Sequence, residues 1–204
     1  EISECLVGSE MCIRDRTLEG YKHIPTQSVN EYAHEHTFAF YAPSKTFNLA
    51  GLVGSYHIVY NSYLRDRLME AEKCSHYNSA NVLSISALMG AYTKEGAEWV
   101  DELREVLTQN VDYAHTYITT HFEGVSVAKA QGTYMLYLDC SGWLKAHPEM
   151  TMDDLIRAGI AVGVVWQDGR PFMNPNTIRM NLAVPHALVK EAMDRLDKYV
   201  FNAK

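Results

Sequence analysis

The period of the apolar positions changes several times along this chain, and each change predicts an element. Thr37-Phe38-Ala39-Phe40-Tyr41 is a continuous apolar, β-favouring run that breaks against Pro43. It predicts a strand over 37–42 and then a small-residue loop that reopens near Gly51. Gly54-Ser55-Tyr56-His57-Ile58-Val59-Tyr60 reads as a second β-rich run. Asn61 and Ser62 then start a helix reaching about Lys73, with Tyr63, Leu64, Leu68 and Ala71 inward. Residues 79–92 carry Val82, Ile85, Leu88 and Met89 at helical spacing. Strand, turn, strand and helices in that order belong to a covered sheet, not to an isolated meander.

Over 98–120, Trp99, Leu103, Val106, Leu107, Ala114, Tyr117 and Ile118 recur at three and four residues. One helix of ~35 Å is predicted, at 1.5 Å per residue, with the domain hinge at its start. Gly124 ends it, and 125–127 and 133–138 read as strands around the Gln131-Gly132 turn. Thr151-Met152-Asp153-Asp154 has the form of a capping box with Asp in place of Glu, so a helix should run from there to Ala158, closed by Gly159. Strands near 163–166 and 178–183 follow. The last helix begins after Pro185 and buries Leu188, Ala192, Met193, Leu196 and Val200. The pattern is thus α/β, followed by a mixed α+β segment, with no internal repeat, low-complexity stretch or glycine-rich phosphate loop.

Two residues carry chemistry. Lys45 follows the first strand in a loop of small residues. A lysine held partly out of water there gives up its proton more readily, and the free amine attacks a carbonyl to make a Schiff base. The alternative is a lysine capping a strand end on the surface. In Thr177-Ile178-Arg179-Met180-Asn181-Leu182, strand alternation puts Thr177, Arg179 and Asn181 on one face and the apolar residues on the other. A planar guanidinium there can hold a carboxylate by two parallel hydrogen bonds, although from the pattern alone an exposed strand arginine is the better reading.

The run Ala42-Pro43-Ser44-Lys45-Thr46-Phe47-Asn48-Leu49-Ala50-Gly51 resembles the cofactor-lysine segment of fold-type I pyridoxal-phosphate enzymes. The branch it resembles is the cystathionine β-lyase (C–S lyase) branch of the class I/II aminotransferase superfamily. Asp168-Gly169-Arg170-Pro171-Phe172, followed by the segment from Asn176 through Arg179 to Pro185, looks like that branch's C-terminal signature. Gly132-Thr133-Tyr134-Met135-Leu136-Tyr137-Leu138-Asp139 resembles the small-domain strand between them. The likeness runs from about Leu18 to the C-terminus.

The resemblance implies an α/β chain, the C-terminal part of the large-domain sheet of a fold-type I enzyme over 17–97, and a small α+β C-terminal domain over 98–204. It implies pyridoxal 5'-phosphate as cofactor, carried by Lys45 with Ser44 and, more weakly, Thr46 as hydroxyls for its phosphate. Lys45 would then take the substrate Cα proton, and Arg179 would grip the α-carboxylate. Asn48 and Tyr56 lie near the motif, with a loop hydrogen bond and a packed aromatic as their equally good structural readings. The activity implied is C–S cleavage of cystathionine or a related cysteine conjugate, giving a thiol, pyruvate and ammonia, in an enzyme that forms homodimers.

Two alternatives stand beside this one: an aminotransferase, and a non-catalytic regulatory or binding role. Class I aminotransferases usually place a serine three before the lysine and an arginine eight after it. Here Ala42 and Val53 stand at those positions, which favours the lyase branch and leaves the phosphate grip open. The family is longer and has its lysine past the middle, so the chain reads as a C-terminal half. No matching positions exist for the ring-nitrogen aspartate, the stacking aromatic or the main phosphate loop, and the chain alone is expected to be inactive.

Residues 1–16 fit neither the family nor a helix or strand template and read as a non-native leader, without the basic start and apolar run of a signal peptide. A net charge of -7 argues against nucleic acid or anionic membrane as partner. No stretch is apolar enough to span a bilayer. Cys74 and Cys140 are far apart and form no C-x-x-C pair, which suits a reduced, cytoplasmic protein. His34-Glu35-His36 has no third ligand in view and reads as a solvated loop, with no metal site expected.

Overall fold

Residues 6–7, 17–52, 54–75 and 80–202 are described by the structure, a computed structural model. They fall into two units, Glu1–Leu103 and Arg104–Lys204, each with its own sheet.

The first unit is built on β2 (Thr37–Tyr41), whose alternate residues Thr37, Ala39 and Tyr41 are buried. Ala39 and Tyr41 pack against Ala42 and Tyr56. On one edge β2 pairs antiparallel with β3 (Tyr56–Ile58), Ala39 opposite Ile58 and Tyr41 opposite Tyr56. On the other it pairs parallel with β1 (Leu6–Val7). That short strand lies within 1–16, where the side-chain pattern predicts none. Ladder bonds are made by backbone groups, so pairing needs no apolar alternation in the added strand.

Gln27, in a 3₁₀ turn over Thr26–Ser28, is buried and donates from Nε2 to the Thr37 carbonyl at 3.2 Å and the Ile58 carbonyl at 2.9 Å. One side-chain amide thus ties the start of β2 to the end of β3. Asn30 caps α1 (Glu31–His36), its Oδ1 accepting from the Ala33 N–H at 2.8 Å. His34 and His36 therefore sit on a helix and not in a loop. Six residues are too few to show a helical period, and the cap is the local signal.

The helices α2 (Ser62–Ser75) and α3 (Val82–Ala91) stand where the periodicity puts them; the start predicted at Ser79 lies outside the described residues. Their inward faces differ from expectation. Nothing in α2 is buried: Tyr63 is 70% exposed, Ala71 is exposed, and Leu64 and Leu68 are half-buried. In α3, Val82, Ile85 and Met89 are exposed and only Ser84 is buried. Helical spacing reports an apolar stripe, and burial depends on what covers it.

The long helix α4 (Lys94–His121) contains the boundary between the units. It buries Leu107, Asn110, Val111, Ala114 and Ile118, while Trp99 and Val106 are exposed. In the second unit the sheet order is β4-β5-β7-β6, all antiparallel, from β4 (Ser126–Val127), β5 (Met135–Asp139), β6 (Gln167–Asp168) and β7 (Thr177–Asn181). Leu136, Leu138, Ile178 and Met180 form its buried face. A short helix α5 (Ser141–Ala146) follows β5.

In α6 (Met152–Ala161) the capping box is present as read. Thr151 Oγ1 accepts from the Asp154 N–H at 3.2 Å, and the Asp154 carboxylate accepts from the Thr151 N–H at 3.0 Å. The helix does not close at Gly159, which is buried inside it; Gly163, at φ +81, holds the left-handed position beyond its end. A Cβ at Gly159 would lie 2.4 Å from the Trp166 ring, and Trp166 Nε1 donates to the Ile156 carbonyl at 3.1 Å. The glycine therefore serves packing, not termination. The strand predicted near 163–166 is instead a turn leading to β6. We expect Gly159→Ala to lower unfolding stability by about 1–3 kcal/mol, read as a lower urea midpoint at unchanged slope. An unchanged midpoint would show that the indole moves aside freely.

The last helix, α7 (His186–Leu196), buries Val189, Met193 and Leu196, so its inner stripe starts one residue after the predicted Leu188, which is exposed. A π turn over Asp197–Phe201 brings in Val200 and Phe201. The wider turn shifts the stripe, letting Phe201 stack on Phe122 at 4.3 Å.

Candidate functional site

Lys45 stands on a turn whose shape is set by backbone hydrogen bonds. After β2 ends at Tyr41, the Phe47 N–H donates to the Pro43 carbonyl at 2.9 Å and the Leu49 N–H to the Ser44 carbonyl at 2.8 Å. Asn48 lies between them at φ +54. That six-to-one bond around a left-handed residue is a Schellman closure of a single helical turn, with Asn48 doing what glycine usually does. Lys45 is exposed within it and not held partly out of water as the sequence reading supposes, Ser44 is half-buried, and Thr46 is buried. Among the described residues no carboxylate pairs with the Lys45 amine.

Aromatic contacts hold the turn in place. Phe47 stacks on Trp99 at 5.9 Å and leans on Tyr92 at the same distance. Tyr56 stacks on Tyr41 at 5.3 Å, and its hydroxyl meets that of Tyr92 at 3.0 Å. A small cleft beside the turn is lined by Pro43, Ser55, Tyr56, Ser84 and Leu88. Tyr56 is thus the packed aromatic of the sequence reading. Ala42 belongs to the apolar cluster around Tyr41, and Val53 lies outside the described residues.

Arg179 is placed by β7, with Tyr137 of β5 opposite it on one side and Gln167 of β6 on the other. Its strand neighbours Ile178 and Met180 are buried, while Arg179 is half-buried. Thr177, on the arginine's face, is buried too. Its Oγ1 is within bonding distance of the Tyr137 hydroxyl, 2.8 Å, and of the Asn174 carbonyl, 3.0 Å. Tyr137 passes the bond on by donating to the Gly169 carbonyl at 3.1 Å. The Arg179 Cζ sits 4.8 Å from the centre of the Phe172 ring.

Arg170, nine residues earlier, is already occupied. Its Nε donates to both oxygens of Asp168, at 3.0 and 2.8 Å, and its Nη2 to Asp153 at 2.5 Å. Among the described residues no carboxylate pairs with Arg179 in this way. Of the two, Arg179 is the guanidinium with its edges available for a carboxylate.

The Arg170 bonds hold the Asp168 carboxyl below the usual carboxylate range, and the Thr151 hydroxyl and N–H do the same for Asp154. A carboxyl lowered in the folded state contributes stability above its unfolded pKa and loses it as pH falls through the folded value. The chain should therefore lose stability below about pH 4. Asp168→Asn should flatten that acid limb in chemical denaturation, and an identical limb would remove the ion pair from the account.

His34 pairs with Glu35 through Nδ1 at 2.9 Å and stacks on Tyr60 at 4.0 Å, while His36 bonds the Tyr32 carbonyl. Among the described residues no three His, Cys, Asp or Glu side chains gather as a metal site would require, and no helix is long and apolar enough to cross a membrane. Burial pushes the Cys140 thiol up to about 12, with Asp139 adding to it, which makes it inert. Sequence reasoning missed Asn110, Gln27 and Phe172. Phe172 lay inside a quoted motif without a role, and the two amides carry no periodic signal.

The family model for aminotransferase class I and II matches residues 16–196. The chain is 30% identical over 129 residues to cystathionine beta-lyase PatB of Bacillus subtilis, covering 63% of this chain and 33% of that protein. It is 36% identical over 97 residues to protein MalY of Escherichia coli, covering 47% and 25%. Among solved structures, cystalysin from Treponema denticola, which contains a pyridoxal 5'-phosphate cofactor, superposes with a TM-score of 0.82 at 25% identity over 98% of this chain and 50% of that one. The chain spans about half the length of such relatives, or less.

Proposed function

From a chain that belongs to the aminotransferase class I and II family, we propose the C-terminal part of a pyridoxal-phosphate-dependent C–S β-lyase. Its substrate is cystathionine or a related cysteine S-conjugate. The observation that carries this reading is Lys45, an exposed amine with no described acid partner, on a backbone-closed turn at the end of β2. An amine so placed fits a group that it must hold covalently and then release without the turn refolding. The half-buried Ser44 hydroxyl beside it fits a phosphate oxygen.

When bound, pyridoxal 5'-phosphate supplies the electron sink for negative charge at the substrate Cα. Lys45 would hold the cofactor through Nζ, and its free amine would take the substrate Cα proton onto the same atom. Arg179 binds the α-carboxylate and so fixes which Cα bond faces the base. Loss of that proton and of the Cβ thiolate, followed by addition of one water, gives the thiol, pyruvate and ammonia. We assign 17–97 to the cofactor domain and 98–204 to the small domain of a cytoplasmic homodimer with no nucleic-acid or membrane partner.

The experiment uses the whole enzyme that carries this segment, loaded with the cofactor and given cystathionine. Pyruvate release supports the lyase. Amino transfer to a keto acid without pyruvate moves the protein to the aminotransferase reading, which a 20% identity to the Bacillus subtilis aspartate aminotransferase keeps in play.

A further inference from the structure

We propose that Phe172 is a positioning residue for Arg179, its ring fixing the plane in which the guanidinium receives a substrate α-carboxylate. The inference rests on Arg179 being the carboxylate-binding residue of the proposed enzyme.

Phe172 is 50% exposed, yet its backbone is braced on every side. It ends a 3₁₀ turn over Arg170–Phe172, where the Phe172 N–H donates to the Gly169 carbonyl at 2.8 Å and the Met173 N–H to the Arg170 carbonyl at 3.1 Å. Arg170 is anchored to Asp168 and Asp153. The Thr177–Tyr137–Gly169 relay fixes the other end, and the Tyr137 hydroxyl also lies 3.5 Å from the Phe172 carbonyl. So much bracing of an exposed turn leaves a phenyl ring in the water, 4.8 Å from the Arg179 Cζ.

An aromatic ring beneath the guanidinium carbon attracts the cation and brings no oxygen or nitrogen acceptor, so the N–H donors that a carboxylate engages by two parallel bonds keep no competing partner from it. The cross-strand neighbours of Arg179, Tyr137 and Gln167, are neutral and offer no competing charge. Phe172 thus limits the rotation of Arg179 without occupying its donors.

Two measurements test this. In the whole, cofactor-loaded enzyme, Phe172→Leu should raise KM for cystathionine about two- to fivefold, with the larger share of the effect in KM rather than kcat, and Phe172→Tyr should restore it. In ¹⁵N-labelled chain, the Arg179 Nε–Hε resonance, assigned by its loss in Arg179→Lys, should be displaced by the ring and return to the ordinary arginine position in Phe172→Leu. An undisplaced resonance in the unsubstituted chain overturns the proposal. So does a KM that Phe172→Leu leaves alone while Arg179→Lys raises it, and that result retains Arg179 as the carboxylate residue. If Arg179→Lys leaves KM unchanged, the arginine's role falls and the positioning role with it.

Discussion

Lys45→Ala should abolish covalent retention of pyridoxal phosphate while leaving the fold intact. The fold survives because the turn is closed by the Phe47 and Leu49 N–H groups and by the Phe47 ring, none of which the substitution touches. An exposed lysine without a described acid partner contributes little to stability, so the unfolding midpoint should move by no more than about 0.5 kcal/mol. The amine, by contrast, has no substitute on the turn, since Ser44 and Thr46 offer only hydroxyls. Borohydride reduction of the whole, cofactor-loaded enzyme should fix the cofactor's mass on the peptide containing Lys45 in the unsubstituted protein and not in the variant. In the whole enzyme, pyruvate release should fall by about a hundredfold or more, the scale of losing a positioned base. Cofactor mass spread evenly over surface lysines, unchanged by the substitution, would remove Lys45 from the chemistry.

The second large effect is structural. Asn110 is fully buried in α4, where its Nδ2 donates to the Leu182 and Val184 carbonyls, both at 2.9 Å, and its Oδ1 meets His186 Nδ1 at 2.8 Å. These partners lie 72 to 76 residues away, on the chain leaving β7 and at the start of α7. Asn110→Ala removes all three bonds and leaves two carbonyls and a ring nitrogen without a protein partner. Only the Leu182 carbonyl is fully buried, and its abandonment costs about 1–3 kcal/mol; Val184 and His186 are partly exposed, so with their lost bonds we expect a total of about 3 kcal/mol. His186→Ala should cost less, because only one bond goes. The check is urea unfolding of both variants, and a loss under about 1 kcal/mol for Asn110→Ala would show that water takes over the bonds.

Asn110 also shows where reading the chain stops. A polar residue on an apolar stripe looks like an interruption, and its worth depends on carbonyls brought to it from more than seventy residues away. Gln27 is the same case in the first unit, joining the ends of two strands that no local pattern connects. Local pattern predicts a helix end at Gly159, because glycine commonly is one. Its real constraint is the Trp166 ring, seven residues further on. The capping box at Thr151 and Asp154 was legible because all its partners lie within three residues.

By itself the sequence determined the strand before Lys45, the places of the main helices though not all their ends, the alternation that separates Arg179 from Ile178 and Met180, and a motif order that matches one family. These are local in origin: dihedral preferences, caps and side-chain periods act within a turn or a strand. Only the tertiary structure decided which apolar stripes are covered, which of two arginines is already engaged, and that Phe172 lies against the other. Those outcomes depend on contacts between distant segments, and a side chain's surroundings are set by the fold that brings them there.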